Sequence, residues 1–578
     1  MSLSTATPRL PPAAQAAPSR LGTLLFAAKV WALRGKRLLG DLRHGPPRLG
    51  RAPADGFDAA AGQSRTDLWS DRQAGERALQ LGKVHNLRRA AAALDGVLIP
   101  QGAVFSFWKQ VGRATTGRGY VAGRMLQQGC MVPAVGGGLC QLSNALYEAA
   151  LQAGCTVVER HAHSRIVPGS QAAIGRDATV AWNYVDLRFR APRDLRLRVR
   201  LDRTALEVGL DARQPVALSP APTPDADLPP PDAVVESCDT CNQVDCFRHI
   251  AAAAAPADRT AFVLDGATPE FAAYVQAARR AEDILAIPID GQRWRLPRYA
   301  WPRQGFETVH QAPLLSLRRS LQSRRLADQG AARQLALLCH AEHLAVALAR
   351  RLPPDATALC VAQPLLPFLW RKGELGGRRL TVLMNRLSMD LLQERLDQAA
   401  RRYPHSPTLS DFRAPADLLR AEREALDYAA HIVTPHAEIA ALFPGRATLL
   451  PWRSPTVATS PPLHDVAFVG PTLGRKGAYE MRQAARELEL DLVVPMRDLE
   501  GADFWSGIAI RRGAPLQARI VVQPAWAEEN PRALLRALAA GRRAIATPAC
   551  GLPAQPGLTL VPHGDSAALI AALRAALG

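Results

Sequence analysis

Aromatic residues make up only 6% of this 578-residue sequence, and no uninterrupted Lys/Arg tract with interleaved aromatics occurs in it. A dedicated nucleic-acid-binding surface needs cations beside rings that stack on bases, so that class is disfavoured. No apolar run reaches the roughly 20 residues needed to span a bilayer. The stretch from Met1 to Pro18 is rich in Pro and Ala and lacks the continuous apolar core of an export signal, so a cytoplasmic location is expected. Cysteines number nine, an odd count in a long chain, which argues against a disulfide framework. No solenoid-type repeat is present.

What is present suffices for several globular units. Hydrophobic residues account for 48% of the chain, and at about 150 residues per domain its length implies three or four domains. Lys and Arg total 71 against 52 Asp and Glu, a formal charge of +19, which favours sugar nucleotides or anionic phospholipid as partners. Between Leu21 and Leu39, the apolar Leu24-Leu25-Phe26-Ala27-Ala28 precedes Lys29, Trp31, Arg34, Lys36 and Arg37. Helical spacing makes this segment basic and amphipathic, suited either to the inner face of an anionic membrane as a peripheral contact or to packing on its own domain.

From about Arg65 to Arg190 helical and strand patterns alternate, with a helix expected at Val84 to Leu94 and strands at Thr156 to Glu159 and Thr179 to Phe189, an α+β domain. Gln214 to Asp232 carries repeated prolines and reads as a semi-rigid linker. Beyond it the pattern is α/β. Strands are expected at Val466 to Val469, Leu490 to Val494, Ala518 to Gln523 and Ala544 to Ala546, with helices at Gly477 to Leu488, Arg532 to Ala540 and Ser566 to Leu577.

Three clusters carry chemistry. The run Gly136-Gly137-Gly138-Leu139-Cys140-Gln141 leads into an apolar helical pattern, placing Cys140 at a helix N-terminus, where free amides and the helix dipole favour a thiolate. Downstream, His161 and His163 alternate around Ala162 and are expected to share a strand face. Asp177 and Asn183 follow. Cysteine, histidine and a carboxylate or amide in that order would make Cys140 a nucleophile, His161 or His163 its base, and Asp177 or Asn183 the orienter, with Gln141 and backbone amides on an oxyanion. A structural helix-start cysteine, or a metal site of Cys140, His161 and His163, are the alternatives.

The second cluster, Cys238, Cys241, Cys246 and His249, has C-x2-C-x4-C-x2-H spacing. Such a knuckle can wrap tetrahedral zinc, or an iron-sulfur cluster on its thiolates, and would staple rather than catalyse. The third lies near the C-terminus. After the strand ending at Val469-Gly470, Arg475 and Lys476 stand beside a helix start, a place for a diphosphate. A second strand, through Gln523, leads to an acidic loop with Glu528 and Glu529.

Several of these pieces have a family likeness. His85-Asn86-Leu87-Arg88, Phe105-Ser106-Phe107-Trp108, Val111-Gly112-Arg113, Gly117-Arg118-Gly119-Tyr120, GGGLCQLSNALYEAAL from Gly136, VERHAHS from Val158 and ATVAWNYVDLRFR from Ala178 together resemble the VanW family. That resemblance implies a link to the cell envelope and to glycopeptide-resistance gene clusters. The region from about Asp258 to Gly578 resembles retaining glycosyltransferases of the GT-B type, which implies two Rossmann-like halves, a nucleotide-sugar donor held by Lys476 and Glu528, and an envelope glycan or lipid-linked acceptor. Two positions depart from that pattern. Arg536 stands where a second Glu is usual and cannot accept hydrogen bonds from ribose hydroxyls, and Pro471 replaces an Arg.

The expected organisation is therefore a basic, partly disordered segment with an amphipathic helix (1–55), a VanW-like domain (56–212), a Pro-rich linker (213–232), the Cys/His knuckle (233–255), and two Rossmann-like halves (256–455 and 456–578). Nucleotide-sugar-dependent glycosyl transfer is the leading functional expectation. Thiol chemistry on an amide or ester bond, and a metal-stapled binding scaffold, are the other two.

Overall fold

The computed structural model describes residues 19–69, 76–127, 130–163, 176–215, 246, 258–326, 330–457 and 461–578. Most of the proline-rich stretch, together with Cys238, Cys241 and His249, lies outside them. Two compact units emerge: Met1–Asp258 with Pro353–Thr357 and Gly373–Arg378, and Arg259–Leu352 with Ala358–Lys372 and Arg379–Gly578.

The first unit is built on a four-stranded antiparallel sheet in the order Ala59–Asp67, Ala205–Ala212, Leu195–Leu201, Leu98–Ile99. Its third member shows why a strand forms: in LRLRVRL the apolar side chains are all buried and the arginines between them are not, the two-residue period of a half-buried strand. The helices Arg77–Leu94 and Leu139–Gln152 pack on this sheet, with Leu87, Leu94, Leu142 and Leu146 fully buried between the layers. A smaller antiparallel sheet (Val104–Ser106, Arg188–Arg190, Thr156–Glu159) and the hairpin Ala122–Gln127/Cys130–Val135 complete the unit.

Two expectations change here. The helix foreseen from Val84 starts at Arg77; in the added turns Gln80 and Lys83 are buried despite their polarity and hide the helical stripe. The strand foreseen at Thr179 to Phe189 survives only as Arg188–Arg190. Upstream, Ala181 and Val185 exchange backbone bonds across a tight turn, and the Ala178 backbone is taken by helix side chains, so no ladder can form there.

The second unit contains a seven-stranded and a six-stranded sheet. Counted along the chain, the six-stranded sheet runs third, second, first, fourth, fifth, sixth (Ile510–Arg512, Leu492–Val494, His464–Phe468, Ala518–Gln523, Arg543–Ala546, Leu558–Leu560), with every neighbouring pair parallel. Its seven-stranded counterpart, from Arg259–Val263 to Ala447–Leu449, has the same order with one further strand at the edge. This is the doubly wound Rossmann order. Covered on both faces, several of these strands are short apolar runs; Ile284–Ile287 and Leu492–Val494 have no exposed residue. The α+β domain followed by two Rossmann-like halves is thus the architecture the sequence led us to expect. No helix among the described residues is long and apolar enough to cross a membrane.

Candidate functional site

Cys140 occupies the first turn of Leu139–Gln152, and the three glycines before it are a packing device. Gly138 has φ +99°, and a Cβ there would lie 2.2 Å from Lys83 Cγ; a Cβ on Gly137 would lie 2.3 Å from the Gly123 backbone. Asn86 locks the turn, its amide nitrogen donating to the carbonyls of Val121 (2.9 Å) and Gly137 (3.0 Å) while its oxygen accepts from the Val121 amide (2.9 Å). The glycines thus admit backbone and the Lys83 stem against the helix start.

From Cys140 a polar stripe descends the helix at intervals of three and four residues. Thr179 Oγ1 lies 3.8 Å from the Cys140 sulfur. Ser143 Oγ donates to the Ala178 carbonyl at 2.5 Å, and Asn144 Oδ1 accepts from the Ala178 amide at 2.7 Å. Glu148 pairs with Arg176 at 3.0 Å. These bonds lay residues 176–179 along the helix and bring Asp177 to His163. The His163 Nδ1–H donates to Asp177 Oδ2 at 2.6 Å, the His163 amide binds the same oxygen, and Arg160 Nη2 donates to Oδ1 at 3.0 Å. With Nδ1 committed to the carboxylate, Nε2 is left for the thiol.

The electrostatics follow from this arrangement. Burial alone would push the Cys140 thiol up, but the hydrogen bond and charge of His163, helped by the Val180 amide and the Thr179 hydroxyl, outweigh it and hold the thiol below its ordinary value. Burial opposes protonation of His163, yet Asp177 and the paired sulfur raise it to about 9. Asp177, buried but hydrogen-bonded by His163 and facing Arg160, is held below the usual carboxylate range. Cys155 and Cys550, which lack a histidine partner, go the other way, pushed up to about 12 by burial. Each partner thus favours the charged form of the other: the imidazolium draws the thiol toward thiolate, and the sulfur and the Asp177 carboxylate hold the proton on the ring.

Of the sequence-derived residues, Cys140, His163 and Asp177 come together and His161 does not. The strand ends at Glu159, so the shared face expected of the two histidines never forms; His161 is largely exposed and lies 3.3 Å from Glu159. Gln141 also turns away, its side-chain amide donating to Thr66 Oγ1 (2.9 Å) and the Asp67 carbonyl (2.8 Å). Arg160, Asn144, Glu148 and Thr179 were not foreseen, although the spacing of 140, 144 and 148 along one helix face was there to be read.

The second cluster of interest lies at the switch point of the six-stranded sheet, where the first strand, His464–Phe468, neighbours the fourth, Ala518–Gln523. Lys476 and Glu528, in the loops leaving these strands, form a buried pair at 2.7 Å. Glu528 also accepts from the Gln523 side chain and from the Asn530 amide. Burial and the neighbouring Arg475 lower the Lys476 ammonium, with Glu528 opposing; burial would raise Glu528, but Lys476 holds it low. Arg475 stacks over Phe412, and Glu529 and Arg536 are exposed. The Gly474 amide, which a phosphate would seek in such a turn, donates instead to Glu500 at 2.6 Å, and Ser406, Thr408 and Tyr479 donate to the same carboxylate. Cation and amide donors are both held by the protein's own carboxylates.

Of the proposed knuckle only Cys246 is described, and among the described residues no group of three or more His, Cys, Asp or Glu side chains is arranged to hold a metal ion.

Comparison with known proteins separates the two units. Over 105 residues, 18% of this chain, the sequence is 39% identical to the uncharacterized protein YoaR of Bacillus subtilis (strain 168), and over 120 residues, 20% of the chain, it is 37% identical to the vancomycin B-type resistance protein VanW of Enterococcus faecalis (strain ATCC 700802 / V583). The chain spans 34% and 43% of the lengths of these curated relatives. The lipopolysaccharide outer core galactosyltransferase WaaB, in its apo form, overlays 55% of this chain and 90% of its own at 15% identity and a TM-score of 0.32; the two-halved α/β architecture rests on the strand order itself. The family described as VanW like protein matches residues 82–210, the stretch that holds Cys140, His163 and Asp177, and the chain therefore carries a VanW-like domain there.

Proposed function

We propose that the VanW-like domain is a thiol acyl-transfer or hydrolytic site acting on an amide or ester bond. The observation that carries this reading is the convergence of Cys140, His163 and Asp177 with charges suited to a thiolate–imidazolium pair. The Cys140 thiolate attacks the substrate carbonyl carbon, forming a C–S bond, while the carbonyl electrons move to oxygen beside first-turn amides of the helix. As the C–N or C–O bond breaks, the leaving amine or alcohol takes the proton from His163 Nε2. Water or a second acceptor then attacks the thioester, His163 takes its proton, and the thiolate leaves. Asp177 keeps the ring in the tautomer and orientation that both steps need.

Cys140→Ala is expected to abolish labelling of the folded protein by an acyl-transfer probe, such as a fluorogenic peptide thioester, and turnover of a panel of amides and esters. The wild type should retain one labelled thiol at neutral pH. Equal turnover by the variant sinks the reading.

A second reading applies to the α/β module: nucleotide-sugar-dependent glycosyl transfer, with Lys476 and Glu528 at the donor site. It is favoured by their position at a switch point, where doubly wound sheets bind ligands. Because internal carboxylates occupy these groups, a donor must displace them, so Glu500→Ala is expected to tighten binding of a UDP-, GDP- or dTDP-sugar several-fold in calorimetry. No heat from any donor with either protein defeats this reading. A cell-envelope role with peripheral association at a membrane completes the proposal, supported by the family likeness of residues 82–210 and by the exposed apolar side of Arg20–His44.

A further inference from the structure

The helix Arg20–His44 rests on the first unit the wrong way round. Its contacts are polar: Arg34 Nε donates to the Trp182 carbonyl at 2.9 Å, Arg37 forks onto Glu159 and reaches the Tyr184 carbonyl at 3.2 Å, and Asp41 pairs with Arg188 at 2.9 Å. Positions 34, 37 and 41 form one helical face, and that face points inward. No residue of the helix is buried. Of the apolar side chains more than 60% exposed, Leu21, Leu24, Leu25, Trp31, Leu39 and Leu42 share one side of the helix, turned away from positions 34, 37 and 41, and Phe26 lies apart from them beside Arg37. An ordinary surface helix buries its apolar stripe and exposes its charges.

The flanks of that apolar side carry one sign. Lys29, Lys36 and Arg43, all exposed, recur every seven residues and so form a row along one edge. The single acid of the helix, Asp41, is turned inward onto Arg188. Over 25 residues the stripe is roughly 37 Å long, and its large Leu and Trp side chains suit an acyl boundary as the cationic edge suits phosphate headgroups. A second copy docked through the same face would bring two such cationic rows together.

We propose that Arg20–His44 is a lipid-surface anchor that lies in the interface of an anionic bilayer, its apolar side in the acyl boundary and its polar side stapled to the domain. The proposal rests on the peripheral-association reading above and deepens it by assigning the surface and the lipid chemistry. Its staples fall on Glu159 and on residues 182–188, the chain just before His163 and just after Asp177, so the anchor holds the thiol site at the bilayer face and points to membrane-borne substrates.

The full-length protein is to be co-sedimented with vesicles of phosphatidylcholine mixed with phosphatidylglycerol, and with vesicles of phosphatidylcholine alone. Binding is expected to the mixed vesicles and to be at least tenfold weaker without the anionic lipid. Leu24→Asp/Leu39→Asp, and separately Lys29→Glu/Lys36→Glu/Arg43→Glu, should each reduce it at least tenfold. Both sets alter outward side chains, and unchanged circular dichroism and thermal unfolding check the fold. Binding undiminished in both variants overturns the anchor while leaving peripheral association standing. Absence of wild-type binding overturns both. A dimer in light scattering that Leu24→Asp/Leu39→Asp dissociates, without vesicle binding, assigns the face to a second copy and also overturns the proposal.

Discussion

Replacing His163 by Ala is expected to slow alkylation of Cys140 by iodoacetamide at pH 7 by about tenfold or more, the largest effect of any single substitution that leaves the thiol itself in place. Without the imidazolium, the hydrogen bond and charge that lower the thiol most are gone and burial is opposed only by the Val180 amide and the Thr179 hydroxyl, so the ionised fraction at pH 7 falls. Alkylation of the variant should then climb more steeply with pH, and its rise should begin at higher pH, than that of the wild type. Stability follows the same ionisation. The His163 pKa is raised from 6.5 to about 9 on folding, so the stabilisation it brings is complete below pH 6.5 and is lost as pH rises through about 9. Urea unfolding of wild type and His163→Gln should differ by up to about 3 kcal/mol more at pH 6 than at pH 10. A pH-independent difference, or equal alkylation rates, would show that the histidine does not govern the thiol.

Glu528→Ala carries the second large effect. It leaves the Lys476 ammonium, whose side chain is 8% exposed, without its carboxylate and should destabilise the C-terminal half by about 3–5 kcal/mol. Lys476→Met combined with Glu528→Gln removes both charges while keeping an acceptor for Gln523 and the Asn530 amide, and should recover most of that loss. Unfolding followed by the emission of Trp505 and Trp526, both buried in this half, reads the difference. A loss below about 1 kcal/mol for Glu528→Ala would mean that water or another acceptor takes the place of the carboxylate, and that a donor need break no costly internal contact at Lys476.

The parts of this fold that were legible in sequence are those where local pattern and burial coincide. Parallel strands covered on both sides are apolar over most of their length, so Ala518–Gln523 and Arg543–Ala546, whose exposed residues are Arg519 and Arg543, lie within a residue of their expected places, and the helix beginning beside Cys140 announced itself by glycines followed by Leu142 and Leu146. The first turns of Arg77–Leu94 were hidden because Gln80, Lys83 and Asn86 are inside for reasons of tertiary contact. Choosing between His161 and His163 was beyond local pattern, since two-residue alternation holds only while the strand lasts and this one stops at Glu159. Glu500 lies 26 residues from the Gly474 amide it holds, and only the fold brings them together.

The stripe of Cys140, Asn144 and Glu148 also bears on how this site can change over evolutionary time. Three bonds hold the segment that carries the carboxylate: Asp177 to His163, Ala178 to Asn144 and Arg176 to Glu148. The helix acts as a ruler for that segment, so the place of the carboxylate against the imidazole is set by positions 144 and 148 as well as by His163 itself. Substitution at Asn144 or Glu148 can therefore retune the histidine from one and two helical turns away while Cys140, His163 and Asp177 are all retained, a route by which lineages diverge without losing the reacting groups.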